Sequence, residues 1–224
     1  MKRIAYYGSC ILCLSVLLTG CNNDQEEQSS ESKTAEKSEQ KESTQQAHLN
    51  DDEKQEVKEE LIKWMAKREA KDDRAVSNRY FNSGSFSNGD WYAGSPDGQI
   101  QVSNQGDPGP KAFDVHNVVG LVTYESNADV TGFDESAQSL TNIEGYEQVA
   151  NMSAPITKYL FVDNGKVYKC TFDKDSEETT LSSGFAPKDH TTKDPNLAPD
   201  RTFDEVKDKE ITEHYHKLLD QYDK

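Results

Sequence analysis

Between Asn50 and Arg74, apolar side chains recur at steps of three and four residues: Val57, Leu61, Trp64 and Met65, with Arg68 continuing the series on an otherwise charged stretch. That spacing places one stripe along an α-helix. Asn50 and Glu53 stand at the separation of a capping pair, so the helix is expected to start there and to end near Lys71 to Arg74. From Tyr80 the rhythm changes to short alternating or aromatic runs punctuated by Gly, Asn, Asp and Pro, the pattern of strands and turns. Ser95-Pro96-Asp97-Gly98 reads as a turn between Trp91-Tyr92 and Ile100-Gln101-Val102. Val118 to Tyr124 reads as a central strand. Tyr159–Val162, Asp163-Asn164-Gly165-Lys166 and Val167–Phe172 form a hairpin with Asn-Gly at the reversal.

Pro187, Pro195 and Pro199 mark a loop or outer strap. Thr202 and Glu205 have the spacing of a second capping box, which Val206, Ile211, Tyr215, Leu218 and Tyr222 extend into a closing helix. The order helix, antiparallel strands, helix predicts an α+β fold: a curved antiparallel sheet flanked by an N-terminal and a C-terminal amphipathic helix. By analogy it resembles the cone-shaped sheets of nuclear-transport-factor-like and cystatin-like folds, a likeness of fold that carries no function.

Ahead of residue 50 the pattern is different. Lys2 and Arg3, an apolar run from Ile11 to Leu18 and then small residues make up an export signal. The run is shorter than the roughly 20 apolar residues of a spanning helix. Leu18-Thr19-Gly20-Cys21 is aliphatic, small, Gly, Cys, and resembles the lipobox of bacterial lipoproteins. The resemblance implies a diacylglyceryl group on the Cys21 thiol and cleavage before it. Two acyl chains hold a protein on a membrane stably where one does not. From Asn22 to Leu49 the chain is polar and without aromatics, carrying seven acids and three bases. Such a composition cannot bury enough surface to offset ordering, so an acidic disordered tether is expected, reaching roughly 30 Å as a coil. The expected organisation is therefore a signal over 1–20, a lipidated tether over 21–49 and one globular α+β domain over 50–224.

Charge narrows the partners. The formal charge is -16, and losing Lys2 and Arg3 with the signal takes it to -18. Nucleic acid is excluded by that sign, and an anionic membrane face offers no second attachment. Of four cysteines, Cys10 and Cys13 leave with the signal and Cys21 takes lipid, which leaves Cys170. It alternates with Tyr168 and Phe172 on one strand face, where a buried, inert thiol is expected.

The stretch Arg74 to Tyr124 carries Ala75-Val76-Ser77, Tyr80-Phe81, Gly89-Asp90-Trp91-Tyr92-Ala93, Pro96-Asp97-Gly98 and Gln101-Val102. It is similar to lipoproteins of Gram-positive bacteria, lactobacilli and their relatives, that carry a domain of unknown function. The likeness implies a Gram-positive envelope and supplies no catalytic residues.

Local catalytic signatures are missing: the sequence has no G-x-S-x-G, no H-E-x-x-H and no C-x-x-C after Cys21. His116 with Asp114 is a candidate base and partner, equally readable as an ordinary strand pair. His190, His214 and His216 gather near the C-terminus, but on a helix His214 and His216 stand about 200° apart, against a shared metal. No calcium-loop spacing is present, and no cofactor is expected. Trp91 and Tyr92 beside Asp90, with the glycine-rich loop Gly84 to Gly94, are a candidate for holding a sugar or peptide, since ring faces stack and a carboxylate accepts hydrogen bonds. The opposing reading is an ordinary strand with one aromatic inward and one outward.

The expected function is a lipid-anchored extracytoplasmic protein, held through Cys21, whose domain binds a wall polymer, peptide or envelope protein without catalysis. The alternative is an envelope hydrolase with scattered residues. The signal segment Cys13 to Gly20 also resembles the apolar octapeptide pheromones released from some enterococcal lipoprotein signals.

Overall fold

In the computed structural model, which describes residues 47–81, 89–140, 143–173, 183–188 and 198–222, Asn50 opens the first helix as its spacing predicts. Its Oδ1 accepts the Glu53 N–H at 2.9 Å, and Glu53 Oε2 accepts the Asn50 N–H at 2.8 Å. The helix α1 runs Asp51–Glu69 and passes into a single 3-10 turn at Ala70–Asp72. The segments expected to be an export signal and a tether, up to residue 46 and including Cys21, residues 82–88 of the glycine-rich loop, His190 and Pro195 lie outside the described residues.

Eight strands of a large, mostly antiparallel open sheet follow α1: β1 Ala75–Ser77, β2 Trp91–Ser95, β3 Gly98–Ser103, β4 Val115–Tyr124, β5 Gly132–Phe133, β6 Ile156–Val162, β7 Val167–Phe172 and β8 Ala186–Pro187. A one-turn helix α2, Ile143–Tyr146, stands between β5 and β6. A ninth short strand, β9 Asp204–Glu205, precedes the last helix, α3, Lys209–Leu219. The order across the sheet is β8-β2-β3-β4-β6-β7-β9, with β1 on β4 and β5 on β1. Among the described residues the fold is thus mixed α+β with two long helices, α1 and α3. Among the described residues no helix is long and apolar enough to cross a membrane.

The longest of these strands, β4, organises the sheet. One edge pairs antiparallel with β6 along most of its length. The other edge is shared: β3 runs parallel to it at Val115 and His116, and β1 runs antiparallel to it from Val122 to Tyr124. Between those two, the Tyr80 ring lies against Gly120, where a Cβ would sit 2.3 Å from the ring carbons. Any side chain at 120 would expel the ring, which is why glycine stands in the middle of a strand.

Both faces of β6 are buried, at every position of the strand. One cluster joins Val57, Leu61 and Met65 of α1 with Val119, Leu121, Phe161 and Tyr215. The other gathers Trp91, Tyr168, Cys170, Phe172, Phe185 and Phe203. The Val57, Leu61 and Met65 part of the predicted stripe is therefore in the core. Trp64 is only half-buried and stacks on His214 at 4.1 Å with 9° between the planes. The next buried position is Glu69 instead of Arg68. Its carboxylate pairs with Arg68 and, at 3.3 Å, with Arg74, while Arg68 also reaches Asp208 at 2.6 Å and Glu210 at 3.2 Å. This ionic knot ties the end of α1 to the start of α3.

The second predicted capping box is a correction. Thr202 bridges to Gly94, and Asp204–Glu205 pairs with β7 at Lys169 and Tyr168. The helix begins only at Lys209, capped by Asp208, whose Oδ1 accepts the N–H groups of Glu210 and Ile211. The reason is burial together with an open strand edge. Phe203 and Val206 both enter the core, and Val206 donates its N–H to Val167 O at 2.8 Å, satisfying the β7 edge before a helix can start. The hairpins and the central strand match their sequence patterns. At the β6–β7 reversal Gly165 takes φ +83°, a conformation that favours glycine. Cys170 is buried between Tyr168 and Phe172, and burial pushes its thiol up to about 11.

Candidate functional site

Three successive residues of β4, His116, Asn117 and Val118, line a cavity of about 440 Å³. A regular strand would send Asn117 to the opposite face from its neighbours. Here the ladder between β4 and β6 shifts register between Asn117 and Val119. That bulge bends the strand and re-aims its side chains, a device common at the rims of sites. Gln101 and Val102 of β3 line the same space, Gln101 being the direct parallel partner of His116. Since β3 pairs with β4 at only two positions, the strands diverge there and open the crevice.

The far wall comes from the segment before α1. Ala47, His48 and Leu49, with Lys54 from the first turns of the helix, line the cavity. This segment is tied down by the Ala47 N–H, which donates to Asp163 O at 2.7 Å. Asp163 is the structural pivot, because its carboxylate accepts twice from His116: the backbone N–H at 3.0 Å and Nδ1 at 2.7 Å. His116 Nε2 lies 2.9 Å from Pro110 O. Carboxylate and carbonyl are both acceptors, so the two ring contacts are made together when each nitrogen carries a hydrogen. Asp114, the partner the sequence suggested for His116, is instead turned to the β3 hairpin, where Oδ2 accepts the Gln99 N–H at 3.1 Å.

Asn117 is held by a short relay. Its Nδ2 donates to Tyr80 Oη at 2.8 Å, and Tyr80 Oη donates to Val102 O at 3.4 Å. A phenol has one hydrogen; giving it to Val102 obliges Tyr80 to accept from Asn117, which fixes the amide with nitrogen toward Tyr80. Burial pushes the Tyr80 hydroxyl up to about 12, so it stays a neutral donor. The oxygen, Asn117 Oδ1, is left buried with no hydrogen-bond partner among the described residues. Such an orphan acceptor costs about 1–3 kcal/mol unless something donates to it.

Of the four ligand-binding residues that the sequence suggested, His116 lines this cavity and the other three do not. Asp90 is fully buried and acts as a staple, accepting from Gln101 Nε2 at 3.0 Å, from the Gly109 N–H at 2.7 Å and from the Gln105 N–H. Those bonds fold the 104–109 loop back on the strand and use up the carboxylate. Trp91 is 7% exposed and packs on Phe81 at 5.7 Å. Tyr92 is half-buried beside Phe113, with the Lys188 ammonium 5.4 Å from its ring centre. The inward-and-outward strand reading is the one these positions fit. Sequence reasoning missed Asp163, whose Asp-Asn-Gly context was accounted for by its turn, and Asn117, which carries no local signature. His214 and His216 lie on different partners, His214 on Trp64 and His216 near Gly165. Among the described residues no group of three His, Cys, Asp or Glu side chains could hold a metal ion.

No protein-family model, curated protein or solved structure matches the chain.

Proposed function

We propose that the chain is a lipid-anchored extracytoplasmic protein of a Gram-positive envelope, held by Cys21, and that its domain binds a small envelope component in the cavity at the β3–β4 divergence. We read the sheet as curved, with α1 and α3 as amphipathic covers on one face. The observation that carries the binding reading is the cavity itself, about 440 Å³, with Gln101, His116, Asn117 and Asp163 among its lining residues. That volume lies in the range of small-molecule sites. A second reading, an envelope hydrolase, is favoured by the 2.7 Å contact of His116 with Asp163. It ranks lower because His116 Nε2 is engaged by Pro110 and the lining residues include no Ser, Thr or Cys nucleophile.

Titrating the isotope-labelled chain with solubilised wall and membrane fractions tests the binding reading. Shifts in the amide signals of His116, Asn117 and Val118, abolished by the plugging substitution Asn104→Trp at the exposed lip, are expected. Unchanged signals at those three positions with every fraction would overturn it. The anchor is tested separately: Cys21→Ser is expected to move the protein from the membrane pellet to the culture supernatant, and retention in the pellet would refute lipidation at that residue.

A further inference from the structure

Away from the cavity, Lys158 stands out: it is 0% exposed in β6 and has no ion-pair partner among the described residues. Lysines are almost never fully buried unless paired. Its Nζ donates to Ser183 O at 2.8 Å and lies 4.6 Å from the Phe185 ring centre and 5.6 Å from that of Phe172. One carbonyl satisfies one of an ammonium's three donors, and ring faces offset only part of the lost hydration. The elements around it bring no acid to its side. Across the ladder stand Val122 of β4 and Cys170 of β7, whose thiol burial keeps protonated. The other cation near the Phe172 ring is Arg201, 5.1 Å from its centre. Asp200 and Asp204 bear on the Cys170 thiol but not on Lys158. Burial therefore pulls the lysine down to about 7.

What covers Lys158 is a short stretch with few ties. Ser183 to Lys188 pairs with β2 at two positions only, and at one of them Pro187 has no N–H to give. The Lys188 N–H donates to Asp90 O at 2.8 Å, and its Nζ meets Gln99 Oε1. Phe185 is the plug, stacked on Phe203 at 5.5 Å with 14° between the planes. Gly184 takes φ +76°, so the bend that brings the Ser183 carbonyl over the ammonium depends on a residue without a Cβ. Lifting this stretch hydrates Nζ and leaves the β6–β7 ladder paired, a local opening that falls short of unfolding.

We infer that residues 183–188 are a pH-sensitive latch: protonation of Lys158 beneath them favours their release from β2, and the neutral amine keeps them closed. In the open state the lysine regains its ordinary value. Below that value the open state binds more protons than the closed one, so a falling pH favours opening, by about tenfold per unit, until the closed state is itself protonated near pH 7. Release uncovers the outer edge of β2 from Asp90 to Tyr92 together with the seat of Phe185.

Native-state hydrogen exchange of the full chain, read residue by residue as protection factors between pH 9 and pH 6, tests the latch. Protection of the Lys188 amide is expected to fall about tenfold from pH 9 to pH 8 and to level off below pH 7, while the β6–β7 ladder amides keep theirs. Lys158→Met should make the Lys188 protection independent of pH and higher than the wild type at pH 7. Gly184→Ala, whose Cβ would meet Phe203 Cε2 at 3.1 Å and Phe172 Cζ at 3.2 Å, should lower that protection at every pH and retain the slope. A flat profile in the wild type or in Gly184→Ala, or a slope that persists in Lys158→Met, overturns the inference. So does a slope shared by the ladder amides, which would assign the protonation to global unfolding.

Discussion

Glu69 and Lys158 are both buried in this domain, and they are handled in opposite ways. Glu69, 4% exposed at the end of α1, is held by the Arg68 and Arg74 guanidinium groups. Lys158, 0% exposed in β6, has no carboxylate partner among the described residues. Its Nζ donates to Ser183 O at 2.8 Å and lies 4.6 Å from the Phe185 ring centre and 5.6 Å from that of Phe172. Burial pulls its pKa down from the ordinary lysine range to about 7. The difference follows from what covers each place. Glu69 sits where two helices meet, and long basic side chains of a helix can reach around it. Lys158 lies beneath residues 183–185, which offer a carbonyl and ring faces but no acid. A paired buried charge depends on its partners, whereas an unpaired one is a standing cost.

Removing the partners is the largest perturbation. The double substitution Arg68→Ala with Arg74→Ala leaves Glu69 uncompensated and is expected to cost roughly 3–5 kcal/mol in urea unfolding. A loss under 1 kcal/mol would mean that Glu69 is relieved by water instead. The opposite substitution on the other charge should help. Lys158→Met removes an ammonium that the fold disfavours, while keeping a side chain of similar length. For a base whose folded pKa is depressed, the unfolded chain binds more protons between about pH 7 and the ordinary lysine value, so wild-type stability rises with pH across that window. The variant should therefore exceed the wild type by an amount on the order of a few kcal/mol at pH 6–7. That gain is reduced by the lost Ser183 bond and ring contacts, and should fade as pH approaches 10. A gain that is constant with pH would show packing, not charge, as its source.

Smaller effects test the surroundings of the two charges. Asn50→Ala removes the α1 cap far from Glu69 and should cost about 1 kcal/mol, additive with the arginine substitutions because the sites share no partner. Non-additivity would show that the helix transmits strain along its length. Finally, Cys170, directly paired with Lys158 across β6 and β7, should resist alkylation by iodoacetamide in the folded protein at pH 8, since burial pushes its thiol up to about 11. Rapid labelling would reveal local opening of that side of the sheet.

The same division governs what could be read from the sequence. Helix α1 announces itself through Val57, Leu61 and Met65 and the Asn50–Glu53 pair, because a periodic element writes its buried face into its own spacing. The hairpins are legible through Pro96-Asp97-Gly98 and Asn164-Gly165 for the same local reason. Residues 183–187 and 201–206 carry no such rhythm: Phe185 and Phe203 are buried by position, and Thr202 with Glu205 mimics a cap that strand pairing overrides. The site is legible only in part. His116 stands out as a titratable residue on a strand, yet Asp163 is 47 residues away and meets it through the β4–β6 ladder. Asn117 owes its place to a register shift, which no residue type encodes. Asp90, Trp91 and Tyr92 were conspicuous because aromatics beside an acid suit ligands and strands equally well.

The hydrogen bond from Ala47 to Asp163 has a mechanical side. If Cys21 is fixed in a bilayer as proposed, any drag on the domain arrives along the chain that leads to residue 47. Among the described residues, the first hydrogen bond to carry that load is this one, backed by the packing of Ala47 and Leu49 on the core, and the segment behind it is a wall of the cavity. Tension on the leash would then strip residues 47–49 from the rim before it reached the capped start of α1, loosening the pocket's grip while the rest of the sheet held. Such a protein would let go of its cargo when pulled.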